Sequence, residues 1–179
     1  MTTAHVFIAT SLDGFIARED GAIDWLLQDP APEEDFGYDD FIASMETIVM
    51  GRGTYEKVVT FETWPYDLPV LVLSRQLAGT PVPAQLEGKV RFSNLAPQQV
   101  LESLSRRNVR RIYVDGGQLI QSFLREGLVS DLVVTSIPVL IGTGRRLFGA
   151  LPGDVDLKLV ASRSFAISGY VQSTYQVLG

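Results

Sequence analysis

Short apolar runs rich in β-branched residues recur along the chain, and turn signals separate them. These runs lack clean polar–apolar alternation, which is typical of strands covered on both faces by helices in a parallel sheet. Segments with apolar residues at helical spacing lie between them. The order strand, helix, strand, helix predicts an α/β fold with a mostly parallel central sheet. We expect five such strands, at His5–Ala9, Thr47–Met50, Val70–Leu73, Arg111–Val114 and Leu132–Ile137.

Helix signals and a different C-terminal pattern complete this outline. Pro32 followed by acidic residues predicts a helix start, because proline suits the first turn and carboxylates suit the positive end of the helix dipole. Further helices are expected at Thr54–Val59, Pro97–Arg107 and Gln118–Arg125. The segments Leu157–Phe165 and Gly169–Val177 predict an antiparallel hairpin that ends the sheet.

Composition excludes several classes of chemistry. A chain of 179 residues predicts a single domain spanning residues 1–179. Without cysteine and with only His5, the sequence argues against thiolate or histidine metal sites and against a Ser-His-Asp triad. A net charge of −6 disfavours binding to nucleic acid or to an anionic membrane. No basic leader and no apolar span of about 20 residues is evident, so we expect a cytoplasmic protein.

Three strand ends carry residues suited to phosphate. The turn Gly116–Gly117 follows Asp115, the segment Gly51–Thr54 contains Arg52, and the pair Ser74–Arg75 follows the third strand. Each segment taken alone has a structural alternative. Gly116–Gly117 is then a tight turn, Gly51–Thr54 a helix start capped by Thr54 with a solvated Arg52, and Ser74–Arg75 a charged surface loop. Together they favour a ligand, since open α/β sheets bind ligands beyond the carboxyl ends of their strands. Three phosphate-type segments along one sheet edge indicate a long phosphorylated ligand, such as a dinucleotide.

A long glycine-containing loop follows the first strand. It runs from Ala9 to Ala17 and continues through Asp20–Trp25. Such a loop can lie over a flat ring and exclude water from it. The alternative is an ordinary turn in which Trp25 anchors the core.

The motifs together resemble the dihydrofolate reductase-like superfamily, closest to the reductase domain of the riboflavin-biosynthesis deaminase-reductase and its stand-alone relatives. They are IATSLDGFIA, DGAIDWL, TIVMGRGTYE, LVLSR, YVDGG and PVLIGTGRRLF, in that order, and they span nearly the whole chain. The resemblance implies a three-layer α/β fold that binds NADPH across its strand ends. It also implies a homodimer, commonly formed through the C-terminal strands.

The resemblance assigns a cofactor role to residues in five segments. Ala9 and Thr10 match the backbone that holds the nicotinamide carboxamide, and Ile16 matches the residue that covers its ring. The remaining matches are the phosphate turn Gly51, Arg52, Gly53 and Thr54, the 2′-phosphate pair Ser74 and Arg75, and the glycine turn Gly116, Gly117, Gln118 and Leu119.

The substrate side matches less completely. Trp25, Val58 and Thr135 match residues around the pterin pocket. In dihydrofolate reductase itself the essential acid lies five residues past that tryptophan, where this chain has Pro30. The nearby acids are out of register; they are Asp29, Glu33 and Asp35. This departure argues against dihydrofolate as the substrate and leaves Asp13, on the active-site loop, as a proton-donor candidate beside its role as a turn residue.

The sequence therefore predicts an NADPH-dependent reductase. The acceptor would be a C=N or C=O group of a small pterin- or pyrimidine-like heterocycle. Two alternatives stay open: a nucleotide-binding module without catalysis, which the proline at position 30 supports, and a domain that binds another phosphorylated ligand such as a flavin.

Overall fold

A computed structural model describes residues 1–26 and 33–179. The strands are β1 (Thr3–Ser11), β2 (Phe15–Ala17), β3 (Thr47–Gly51), β4 (Val70–Leu73), β5 (Val90–Ser93), β6 (Arg111–Asp115), β7 (Val129–Ile137), β8 (Arg145–Arg146), β9 (Leu157–Ser164) and β10 (Val171–Val177). The helices are α1 (Tyr38–Ala43), α2 (Arg52–Val58), α3 (Pro97–Ser105) and α4 (Gly117–Arg125), with a short 3₁₀ turn at Ala84–Leu86.

Eight strands form one sheet in the order β5-β4-β3-β6-β1-β7-β10-β9. Every neighbouring pair from β5 to β7 is parallel, and β10 is antiparallel to both β7 and β9. The α/β fold, the mostly parallel sheet and the C-terminal antiparallel hairpin are thus confirmed. The strands β2 and β8 form a separate two-stranded ribbon.

Helices cover both faces of the sheet. Because side chains alternate between the two faces along each strand, one strand contributes to the apolar layers on both sides. On β3, Ile48 and Met50 pack in one layer with α1 and α2, while Val49 packs in the other with α3 and α4. Phe123 of α4 is fully buried in that second layer. A third apolar cluster, around Trp25 and Tyr170, lies beside β7 and the hairpin turn.

One predicted helix start is wrong, and three strands were not predicted: β5 and the short strands β2 and β8 of the ribbon. Glu33–Phe36 is not helical, and α1 begins only at Tyr38; Pro32 lies outside the described residues. The strand β5 is four residues long and includes the polar Arg91, so its pattern is weak. His5 is buried, and its Nδ1 lies 2.6 Å from Oδ2 of Asp131, which supports a structural role.

Candidate functional site

The three predicted phosphate segments lie at one edge of the sheet. In the register of the parallel strands, Gly51 pairs with Leu73, and Met50 pairs with Asp115. The carboxyl ends of β6, β3 and β4 are therefore side by side, about 4.8 Å apart from strand to strand. Arg52, Ser74 and Gly116 each follow one of these ends directly. The proximity predicted from the strand order is present.

The two glycine-containing turns pack directly on each other. Gly116 has a φ of +101°, and a Cβ at this position would lie 2.6 Å from Oγ1 of Thr54. A Cβ on Gly117 would lie 2.5 Å from Cδ1 of Ile16. Glycine is favoured at both positions because Thr54 and Ile16 occupy the adjoining space, and at Gly116 also because its φ is positive. The same contacts bring the predicted cofactor residues of α2, α4 and β2 together.

Both helices at this edge begin without a capping side chain. Gly51 is the N-cap of α2 and Gly116 is the N-cap of α4, and neither makes a side-chain cap hydrogen bond. Neither neighbouring polar residue takes the cap position: Thr54 lies inside α2, and Asp115 precedes the α4 cap. The first N–H groups of α4, including those of Gln118 and Leu119, therefore have no intrahelical partner.

The two predicted phosphate-binding arginines, Arg52 and Arg75, differ in whether a carboxylate pairs with them. Arg52 forms an ion pair with Glu56 at 2.9 Å. Arg75 is exposed, and no carboxylate pairs with it among the described residues. The Ser74 hydroxyl accepts the amides of Gln76 and Leu77, each at 3.2 Å, so it shapes the turn that presents Arg75.

The strands β1 and β6 separate toward this same edge. Their last pair is His5 with Tyr113, whereas β1 stays paired with β7 as far as Ser11. The hydroxyl of Tyr113 donates to the carbonyl of Phe7 at 3.0 Å, just past that last pair. Beyond it, Ala9 and Thr10 present a side of β1 that faces away from β7 without strand pairing to β6. Backbone groups there are suited to a carboxamide.

Asp115 is an acidic residue directly before the Gly116 turn. It is half-buried at the end of β6, and burial raises its pKa to about 6, opposed by a hydrogen bond from the Gly116 backbone. Burial and the Asp115 charge likewise raise the pKa values of Tyr38, Tyr66 and Tyr113. The site therefore contains a carboxyl group that exchanges its proton near neutral pH, next to phenols that stay protonated.

Asp13, the proton-donor candidate from the sequence, ties two loops together. Its carboxylate accepts the Ser11 hydroxyl at 2.6 Å and the amide of Gly142 at 2.8 Å. These hydrogen bonds, that of Ser11 above all, lower its pKa. A carboxylate held in its ionised form is a poor acid, so the geometry favours the turn role.

The predicted substrate residues lie on the α1 side of the sheet or beside it. Thr135 is buried on β7 and accepts the side-chain amide of Gln172 at 2.9 Å. Trp25 is 7% exposed, and its indole Nε1 has no hydrogen-bond partner among the described residues. Val58 is buried on α2, which packs against β3 and β4.

The acids near position 30 offer no replacement. Asp29 and Pro30 lie outside the described residues. Glu33 is exposed, and the carboxylate of Asp35 accepts the Gly37 amide at 2.7 Å. Sequence reasoning also gave no role to Tyr38, Tyr66 and Arg145, since only the folded chain places them near the strand ends.

The mostly parallel sheet with its C-terminal antiparallel hairpin is a dihydrofolate reductase-like fold. The chain belongs to the RibD C-terminal domain family, whose sequence model matches residues 3–168. It is 35% identical over 162 residues to the uncharacterised protein YwjB of Bacillus subtilis (strain 168), covering 89% of this chain and 90% of YwjB. No described helix is long and apolar enough to cross a membrane.

Solved structures agree with this assignment. A crystal structure of a Shewanella sp. PV-4 protein, provisionally assigned to riboflavin biosynthesis, superposes with a TM-score of 0.92 at 36% identity, over 99% of this chain and 100% of that one. The diaminohydroxyphosphoribosylaminopyrimidine deaminase/5-amino-6-(5-phosphoribosylamino)uracil reductase of Thermotoga maritima gives a TM-score of 0.76 at 18% identity. This chain covers 57% of that protein, and the likeness shows the shared fold.

Proposed function

We propose that the protein is an NADPH-dependent reductase that transfers a hydride to a C=N or C=O carbon of a small pterin- or pyrimidine-like heterocycle. One observation carries the proposal: the helix starts after β3 and β6, both free of side-chain caps, are packed together through Gly116 and Thr54. Unpartnered amides at helix starts favour phosphate. Membership of the RibD C-terminal domain family supports a reductase-like role.

The residues at this edge fit the coenzyme. Amides of Gly51–Thr54 and Gly116–Leu119 would hold its pyrophosphate, and Arg75 its 2′-phosphate. The backbone of Ala9 and Thr10 would hold the carboxamide, under Ile16. When bound, the coenzyme supplies the hydride; the protein orients the two reactants and excludes water.

We propose Asp115 as the source of the proton that accompanies the hydride. Its pKa, raised to about 6 by burial, leaves a protonated fraction near neutral pH. Trp25 and Thr135 would contact the heterocycle, the former through its unpartnered indole N–H. The acid would then come from the end of β6, and not from the position that Pro30 occupies.

A steady-state assay tests this proposal. NADPH oxidation would be followed with 5-amino-6-(5-phosphoribosylamino)uracil, whose ring-opened ribosylamino group offers a C=N carbon to the hydride, and with a small panel of pterins and pyrimidinones. We expect turnover with at least one, slowed about 100-fold or more by Asp115→Asn while the Kd for NADPH stays unchanged. Coenzyme binding without turnover on any compound would indicate the nucleotide-binding module instead.

Coenzyme preference tests the Arg75 assignment separately. Arg75→Ala should weaken NADPH binding about 10-fold or more and leave NADH binding unchanged, because only NADPH carries the 2′-phosphate. Equal losses for both coenzymes would remove Arg75 from that role.

A further inference from the structure

Backbone packing holds Arg145 beside the phosphate turn Gly51–Thr54. It pairs with Ala17 across the ribbon formed by β2 and β8. The preceding Gly144 passes so close to the Ala17 carbonyl that a Cβ there would collide with it. Because only glycine permits this approach, the segment Gly142–Arg145 delivers the arginine to a defined place.

The guanidinium group is oriented by two further contacts. Its Nε donates to the carbonyl of Glu19 at 3.2 Å. The plane of the group lies over Gly21, where a Cβ would be 3.3 Å from Cζ, Nη1 and Nη2 alike. The loop therefore fixes the group through one N–H and its flat face, and leaves the two Nη atoms for other partners.

The Nη1 atom lies beside the predicted phosphate turn. Nη1 is 3.6 Å from the position that a Cβ on Gly53 would occupy. The next residue, Thr54, contacts Gly116, so Arg145 belongs to the same group of contacts as the start of α4. Arg75, by contrast, follows β4, the strand on the other side of β3 from β6.

The charge of Arg145 has no counterpart in the described residues. No carboxylate lies within ion-pair distance of it there. The neighbouring Arg146 is engaged differently: its guanidinium lies over the Phe15 ring, 4.6 Å from the ring centroid. A fixed, exposed fork with an unbalanced charge is preorganised for an anion and loses little entropy on binding.

We propose that Arg145 binds the pyrophosphate of the dinucleotide, a contact common to NADPH and NADH. This inference rests on the proposed function, because it places a further ligand in the same site. It divides the phosphate recognition: Arg145 and the helix-start amides would bind the pyrophosphate, and Arg75 would confer the preference for the 2′-phosphate.

Titrations of NADPH and NADH into Arg145→Gln test this division. We expect both Kd values to rise by the same factor, about 10- to 100-fold, so that the NADPH/NADH ratio is unchanged. Arg145→Lys, which keeps the charge but not the fork, should show a smaller loss. The Kd of Arg145→Gln should also depend less steeply on salt than that of the wild type, an effect that a merely structural role would not produce.

Arg107→Gln is the matched control. Arg107 is exposed just beyond α3, so its removal changes the net charge equally without touching the glycine turn. Wild-type affinity for both coenzymes is expected. If Arg145→Gln binds both as tightly as the wild type, or loses NADPH alone, the Arg145 assignment is overturned. If the wild-type protein binds neither coenzyme, the proposed function fails as well.

Discussion

Replacing Gly117 by alanine would add a methyl group where the glycine turn has no space for one. The new Cβ would lie 2.5 Å from Cδ1 of Ile16 and 3.2 Å from the Arg146 carbonyl oxygen. Ordinary carbon contacts begin near 3.5 Å, so the Ile16 methyl must withdraw by about 1 Å. Ile16 is itself the predicted cover of the nicotinamide ring, so the change affects both packing and the site.

The size of the effect follows from two opposing contributions. Overpacking costs about 1–3 kcal/mol, whereas alanine in a helical conformation returns up to about 1 kcal/mol relative to glycine. We therefore expect Gly117→Ala to lower the free energy of unfolding by about 1–2 kcal/mol. Ile16→Val removes the colliding methyl and should cost about 0.5–1.5 kcal/mol alone.

The double variant distinguishes this collision from a general defect. Combined with Ile16→Val, the Gly117→Ala change should cost about 1 kcal/mol less than it does alone. Urea unfolding followed by circular dichroism gives all four free energies, with the slope m checking that the unfolding stays comparable.

A second glycine provides the control. A Cβ on Gly153 would meet nothing within 4 Å, so Gly153→Ala should stay within about 0.5 kcal/mol of the wild type. The packing argument would be refuted if the two changes at 16 and 117 were additive, or if Gly117→Ala unfolded at a higher urea concentration than the wild-type protein.

Three further outcomes can be measured. Burial raises the pKa of Asp115 from 3.8 to about 6, so the folded state holds that proton more tightly than the unfolded chain does. The wild type should therefore lose stability relative to Asp115→Asn as the pH rises from about 4 to about 7. A difference in urea midpoints that stays constant over this pH range would contradict the prediction. Asp131→Asn removes the carboxylate beside buried His5 and should lower the free energy of unfolding by about 1–3 kcal/mol. Asp154→Asn, at an exposed position, is the control. Equal urea midpoints for the two variants would show that the contact with His5 does not stabilise the fold. All residues of β9 are exposed, including the apolar Leu159 and Val160, so we propose that two copies of the chain meet there. The double variant Leu159→Lys, Val160→Lys should halve the mass measured by light scattering. A monomeric wild-type protein would contradict the proposal.

The fold was accessible from the sequence because its strongest signals are local. Apolar runs such as Ile112–Val114 indicate doubly covered strands without any tertiary information. The four-residue β5 alternates apolar and polar residues and is too short to give such a signal, since its pairing with β4 is what defines it. The start of α1 was misplaced because Pro32 and the acids after it satisfy local rules that the folded chain does not use at Glu33–Phe36.

The candidate site likewise has a part that local sequence signals predict and a part that only the folded chain creates. The turns at Gly51 and Gly116 were predicted because glycine and strand ends are visible in the sequence. The raised pKa of Asp115 was not, since it arises from burial in the folded protein. Nor was Arg145, which reaches Gly53 only through the ribbon of β2 and β8.

The most direct test of the account is to follow backbone amide resonances while NADPH is titrated into the labelled protein. Saturable shifts should concentrate in Gly51–Thr54, Ser74–Arg75 and Gly116–Leu119, at the carboxyl ends of β3, β4 and β6. Residues at the opposite ends of the strands, such as Arg110, should not move. Unchanged spectra at saturating NADPH, or shifts confined to that opposite edge, would contradict the proposal that the coenzyme binds across these strand ends.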